Sequence, residues 1–185
     1  MATEILQKTG TPIVFAASDF SDTVSGFTRT HDLDMDALAD AAAEQSIRAD
    51  LTATRAASYS VRAGFEPNAA PTAGAAIYIY WSSSFSGTAG VGNDGFCTGV
   101  EGAYTGSEDG AIADSVKLLT LIGVFTLEVD FEGDSADSVQ IQTVGRFTPQ
   151  DRYGQVVVWN ESGQALQADG VEHFVALVPI IDESQ

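Results

Sequence analysis

Tyr59-Ser60-Val61-Arg62-Ala63-Gly64-Phe65-Glu66 decides the fold class. Tyr59, Val61, Ala63 and Phe65 fall on one side of an extended chain, and Ser60, Arg62, Gly64 and Glu66 on the other. A period of two is the strand period, and a single apolar face implies a sheet with one side on a core and the other in water. The segment before it repeats the pattern. From Gln45 onward, Ile47, Ala49, Leu51 and Ala53 oppose Ser46, Arg48, Asp50 and Thr52. The segment after it departs from the pattern: in Ile77 to Trp81 both faces are apolar, Tyr78 and Tyr80 opposite Ile77, Ile79 and Trp81. Such a strand is central in its sheet, or has its outer face covered by a loop or a partner.

Further along, Leu118 to Glu132 reads as a long strand bent at Gly123. Phe125, Leu127, Val129 and Phe131 point one way and Glu128, Asp130 and Glu132 the other. Gly133-Asp134-Ser135 is a turn signal. Val139, Ile141, Thr143, Gly145 and Phe147 form the next face. Val156 to Trp159 follows a turn around Pro149 to Gly154, Ser162-Gly163 opens another turn, and His173 to Ile181 is the last strand before a polar tail. Toward the N-terminus, Thr11 to Ala16 is a short strand that Pro12 marks as an edge, because proline cannot donate to a ladder. Asp32 to Glu44 places Leu38, Ala41 and Ala42 at helical spacing behind a capping Asp34 or Asp36, so it is a short helix or a compact loop. Strands recurring with turn signals and without interleaved helices predict an all-β fold. The expectation is an antiparallel β-sandwich, jelly-roll-like, of eight strands and at most one short helix. Residues 1–20 read as an N-terminal arm and edge strand, and residues 21–185 as a single sandwich domain.

That domain is interrupted by Ser82 to Ser115, rich in Gly, Ser, Asp and Asn, with Phe85, Phe96 and Tyr104 spaced through it. A connection of this length inside a compact domain is usually functional or disordered, and the aromatics argue for anchoring. Phe85, Phe96 and Tyr104 are therefore the candidate partner-binding residues.

Composition narrows the function. The chain has 185 residues, with 26 acids against 8 bases and a net charge of −18. Nucleic acid is excluded as a partner, because neutralising phosphates takes clustered Lys and Arg. Acidity of this size serves solubility, a saline setting or a basic partner surface. No apolar run approaches the roughly 20 residues of a membrane span, and the N-terminus lacks a basic region followed by an apolar one, so the expectation is a soluble product made in a cytoplasm. Cys97 is the only cysteine, which rules out an internal disulfide and a Cys-based zinc site.

The motifs that suggest chemistry each miss a physical requirement. Gly90-Val-Gly92-Asn-Asp-Gly95 fits a dinucleotide fingerprint, but Phe-Cys-Thr-Gly-Val-Glu-Gly follows where a helix should open. Asp32-Leu-Asp34-Met-Asp36 begins like a calcium loop, but Ala37 stands where the turn needs Gly and Ala43 where it needs a bidentate Glu. Glu128, Asp130 and Glu132 share one alternating face, which suits a solvated strand better than a glycosidase pair with one desolvated acid. His31 and His173 are far apart in the chain, and neither has a neighbouring nucleophile motif. Asn160-Glu-Ser162 fits a glycosylation sequon and reads as a turn. No catalytic, cofactor or metal residue is expected, beyond weak divalent-cation binding by acidic loops such as Ser107-Glu-Asp-Gly110.

Three segments carry a family resemblance. They are Gly145-Arg-Phe-Thr-Pro-Gln-Asp-Arg-Tyr-Gly154 with the following Gln-Val-Val-Val-Trp-Asn, Ala75-Ala-Ile-Tyr-Ile-Tyr-Trp-Ser-Ser-Ser84 after Ala70-Pro-Thr-Ala-Gly74, and Val178-Pro-Ile-Ile-Asp-Glu183. Together, over roughly Ala37 to Gln185, the chain resembles small β-rich virion structural proteins of tailed bacteriophages. The resemblance implies a non-enzymatic head decoration (cement) protein on the outer capsid surface. Its partner would be the major capsid protein, and it would form a homo-oligomer such as a trimer. The alternative is a tail- or fibre-associated module reading host surface glycans with Phe85, Phe96 and Tyr104 as its platform.

Overall fold

In the computed structural model, which describes residues 5–21, 25–51, 56–72, 74–128, 139–168 and 171–184, the chain is a sandwich of two sheets. In chain order the strands are β1 (Ile5–Thr9), β2 (Ile13–Ala16), β3 (His31–Asp32), β4 (Ala43–Gln45), β5 (Ala49–Asp50), β6 (Ser58–Phe65), β7 (Ala76–Ser84), β8 (Gly102–Ala103), β9 (Thr120–Thr126), β10 (Gln140–Phe147), β11 (Tyr153–Glu161) and β12 (Phe174–Ser184). One sheet has the order β10-β6-β12-β2-β3, with β1 also on β12; the second has the order β8-β4-β11-β7-β9, with β5 also on β11. All these pairings are antiparallel except β2 with β3. Eight of these twelve strands have four residues or more, and the other four are short pieces that fasten loops to the sheet edges.

The core lies between the sheets, where alternation predicted it. Tyr59, Val61, Ala63 and Phe65 of β6 are fully buried and face Ile77, Ile79 and Trp81 of β7 and Val156 and Val158 of β11. Each large side chain buried this way contributes about 1.5–3 kcal/mol relative to exposure. Trp81 packs against Phe147 with ring centroids 5.4 Å apart and fills the space above Gly154, where a Cβ would lie 2.2 Å from its ring. β7 and β11 pair over nine residues in the middle of their sheet and are buried on both faces, so Ile77 to Trp81 is central and covered as well.

Where alternation fails, a local break shifts the faces. The expected face Val139-Ile141-Thr143-Gly145-Phe147 is divided by a register shift between Thr143 and Gly145. Ile141 packs on the outside of its sheet, whereas Phe147 lies in the core. One extra residue moves every later side chain to the opposite face. At the same place the two sheets touch along an edge. A Cβ on Gly145 would lie 2.1 Å from the carbonyl of Ile122, and one on Gly123 would lie 2.5 Å from Val144. Gln142 Nε2 donates to the Thr126 carbonyl at 2.6 Å, which closes the β9–β10 seam further along. The bend expected at Gly123 is thus a close crossing with β10, beside a register shift at which β9 carries one extra residue, Ile122, between the partners of Ile79 and Tyr80.

The strand read from Gln45 to Ala53 is likewise divided. Ser46 is buried, its hydroxyl accepts the Val156 N–H, and Ile47 turns outward before β5 resumes. Of the two readings of Asp32 to Glu44, the compact loop is the observed one. Ala37 and Ala41 have φ of 52° and 61°, outside the right-handed helical region. Their N–H groups donate to the distant carbonyls of Gln167 and Asn160, and Asp34 Oδ1 accepts the Asp36 N–H. The α-helix found among the described residues, α1 (Ile112–Ser115), sits in the Gly-rich segment and continues as a 3-10 turn over Val116–Leu118.

Both chain ends converge on β12. Its residues Phe174 to Leu177 pair with β2, and Ile180 to Ser184 pair with β1. Pro179, which has no N–H to give, falls at the gap where the chain passes from β1 to β2, and its carbonyl accepts the Gly10 N–H at 2.9 Å. The described part of the expected arm, Ile5 to Thr9, is therefore a paired strand. Thr52, Ala53, Val129, Asp130, Phe131, Glu132 and the Gly133-Asp134-Ser135 turn lie outside the described residues.

Candidate interaction surface on the long loop

Ser82 to Ser115 folds back over the outer face of the β7–β11 sheet. Tyr80, Val157 and Ala43 on that face are buried against Cys97, Tyr104 and Val116, with Tyr78, Ile112, Leu119 and Trp159 packed around them. The loop is pinned from both sides. Ser82 Oγ donates to the Asp94 carbonyl at 2.8 Å, and Ser84 Oγ donates to the carbonyls of Ser86 and Val91. From β4, Gln45 Oε1 accepts the Thr98 N–H at 3.0 Å and the Gln155 amide at 2.9 Å, while Gln45 Nε2 donates to the Ala103 carbonyl at 3.3 Å. One buried glutamine thus binds β11, the loop and β8 together. Arg48 donates to the Gly87 carbonyl, and its guanidinium lies 5.8 Å from the Tyr153 ring centre.

The structure separates the three candidate aromatics. Tyr104 is only 1% exposed; its hydroxyl donates to the Gly95 carbonyl at 2.6 Å, so it fastens the loop from beneath. Phe85 is 78% exposed and Phe96 57% exposed. Phe85 rests on Gly92, whose φ is +70° and where any Cβ would lie 2.7 Å from the ring. Phe96 has φ of 64°, a left-handed conformation that costs a bulky residue roughly 1–2 kcal/mol. Val91 and Val100 are exposed on the same loop. The fingerprint glycines Gly90, Gly92 and Gly95 all take positive φ to shape this surface; Gly95 lies inside a single 3-10 turn over Asp94–Phe96, and the chain is extended again at Cys97.

The remaining titratable groups have structural surroundings. Burial pushes the Cys97 thiol up to about 12, which makes it inert. His173 is buried, with Nε2 3.3 Å from the Glu66 carbonyl, and burial lowers the pKa of His31, whose ring lies tilted against Phe15 with centres 5.1 Å apart. Beside the loop, a cavity of about 180 Å³ is lined by Ala17, Ser18, Asp32, Leu33, Asp34 and Glu101. Glu44 is raised to about 7 by burial first and then by Glu101 and Asp34. Glu128 is exposed, and its expected companions Asp130 and Glu132 fall outside the described residues. Among the described residues, no group of three or more His, Cys, Asp or Glu side chains is arranged to hold a metal ion, and no helix is long and apolar enough to cross a membrane.

Sequence reasoning found the loop and its aromatics, but not Gln45 or Arg48 as its anchors. Their partners are far away in sequence, and their local context is only that of an alternating strand. Compared with protein-family models, curated proteins and solved structures, the chain matches none.

Proposed function

We propose that this chain is a non-enzymatic virion structural protein, a decoration protein that binds the outer surface of a bacteriophage head shell through its long loop. The resemblance of its segments to β-rich virion proteins supports the reading. The observation that carries it is the exposure of Phe85 and Phe96 on a loop already held by Gln45, Arg48, Ser82 and Tyr104. Ordering a flexible loop during binding costs affinity, and a loop fixed in advance avoids that cost. Aromatic residues, phenylalanine included, are enriched in protein interfaces relative to the rest of the surface. The partner is then the major capsid protein. The alternative glycan reader asked for a platform of three aromatics, and Tyr104 is turned to the interior.

Sedimentation of the purified protein with undecorated shells tests the proposal. Saturable co-sedimentation is expected, and the proposal falls if the protein stays wholly in the supernatant at saturating concentration. Phe96→Gly gives a finer test. Glycine relieves the positive φ at this position, so the folded chain should melt no lower than the parent while shell binding weakens. A variant that binds shells as the parent does removes Phe96 from the contact.

A further inference from the structure

Along one side of the sandwich β9 and β10 cross closely, at Gly123 and Gly145. Along the other side the two sheets end in β3 and β8, each two residues long. The cavity of about 180 Å³ lies there, with Asp32, Leu33 and Asp34 from the end of one sheet and Glu101 from the end of the other. Through β8 the long loop returns to its sheet. β8 pairs with β4 at two positions, Ala103 with Glu44 and Gly102 with Gln45. The Tyr104 N–H donates to the Ala43 carbonyl at 2.9 Å, and the Gln45 side chain meets the Ala103 carbonyl and the Thr98 N–H. Each of these bonds ends on Ala43–Gln45, so this end of the loop is a strap fastened to one short strand.

The fastening strand carries a carboxylate on its other face. Ala43 and Gln45 face the loop, so the strand period turns Glu44 to the side where its pairing partner Val158 joins the core. Glu44 is half-buried there, and the charges that bear on it are Glu101, from the turn before β8, and Asp34, from the segment after β3. Asp32 of β3 lines the same cavity and is paired with Arg29, while His31 lies against Phe15. Among the described residues, no ion pair involves Glu44, Glu101 or Asp34. Three carboxylates therefore meet at one point, one on the strap, one on the strand that holds it, and one on the edge of the opposite sheet. We propose that β8 is a pH-operated strap, held on β4 while Glu44 carries a proton and loosened when Glu44, Glu101 and Asp34 are all ionised. The proposal does not rest on shell binding.

Closure buries Glu44 beside two other carboxylates and raises its pKa from 4.5 to about 7. An opened strap removes Glu101 and readmits water, which returns Glu44 toward its ordinary value. The open form thus holds the proton less tightly than the closed one. The advantage of the closed form is complete at acid pH, is lost as pH rises from about 4.5 through about 7, and changes no further above that window. For any contact made through the loop, the cost of ordering it is then lowest at acid pH.

Hydrogen exchange of the full chain, followed residue by residue and corrected for the intrinsic pH dependence of exchange, reads the strap directly. The Tyr104 and Thr98 amides are its reporters, and the β6 and β12 amides in the other sheet are the reference. Protection of the two reporters should fall by at least about tenfold between about pH 5 and about pH 8, while the reference amides change little. Glu44→Gln should keep the reporters at their acid-pH protection throughout, and Glu101→Gln, which removes the strap's own charge, should shrink the fall. Reporter protection that is equal at the two pH values overturns the proposal. So does a parallel loss in β6 and β12, which would make the effect one of the whole domain, or a Glu44→Gln chain that retains the parent's dependence. If Glu44→Gln folds poorly, the same judgement rests on Glu101→Gln.

Discussion

The two outer faces of the sandwich are finished differently. On the β6–β12 sheet, Val14, Ala16, Phe174 and Ala176 are buried, and Phe20 and Phe27 meet Phe174 edge-on at 6.0 and 5.3 Å. Two aromatics from one connecting segment seal a small patch made of short side chains around a single ring. On the β7–β11 sheet, the covering segment is the long loop. It buries Tyr80, Val157 and Tyr104, and holds its own Phe85 and Phe96 outward; at its far end Leu121 and Val124 are left open. On one side the described aromatics of the cover turn inward, and on the other the cover also carries exposed aromatics.

The largest effect expected from breaking this comparison is on the sealed side. Phe174 is fully buried there, and Phe174→Ala should cost about 3–5 kcal/mol in denaturant unfolding, because a large ring leaves a void that its neighbours only partly fill. A loss under 1 kcal/mol would mean that Phe20 and Phe27 collapse inward and that the seal is soft. On the loop side, the Cys97 thiol reports whether the cover opens. Its rise from 9.0 to about 12 leaves about a thousandfold less thiolate at neutral pH, so alkylation should be about that much slower in the native protein than in denaturant. Comparable rates in the two states would show that the cover lifts readily.

Tyr104→Phe should cost about 1–3 kcal/mol, since it leaves the Gly95 carbonyl without its donor beneath the loop. Thermal melting measures it, and a neutral result would transfer the anchoring role to Gln45. The smallest effect concerns the acidic rim. Glu44 has its pKa raised from 4.5 to about 7, so the folded state holds the proton more tightly than the unfolded state. Its contribution to stability is present at acid pH and is lost as pH rises from about 4.5 through about 7. Glu44→Gln should flatten the melting temperature across that window, with Glu101 and Asp34 remaining as its charged neighbours. An unchanged slope would assign the dependence to other carboxylates.

Several of these features are legible in the chain. The burial of Tyr59, Val61, Ala63 and Phe65 follows from a period of two, and the two-sided burial of Ile77 to Trp81 from its two apolar faces. The presence of Phe85, Phe96 and Tyr104 on one Gly-rich connection is equally plain, but their directions are not. Tyr104 goes in because the Gly95 carbonyl and the Ala43 carbonyl are there to meet its hydroxyl and its N–H. Phe85 stays out because Gly92 offers it a flat support. The helix spacing of Leu38, Ala41 and Ala42 yields to backbone bonds that Ala37 and Ala41 donate to the carbonyls of Gln167 and Asn160, which no local pattern reveals.

By itself the sequence determined the all-β class, the central strand, the net acidity and the long Gly-rich segment with its aromatics. Each of these rests on local periodicity or on composition, which require no knowledge of distant partners. Tertiary structure alone decided which loop aromatics face outward, where the bulge in β10 exchanges one face for the other, and which part of the outer sheet stays open. Those outcomes depend on contacts between residues far apart in the chain, and on single-residue register shifts that exchange inside for outside without changing the composition at all.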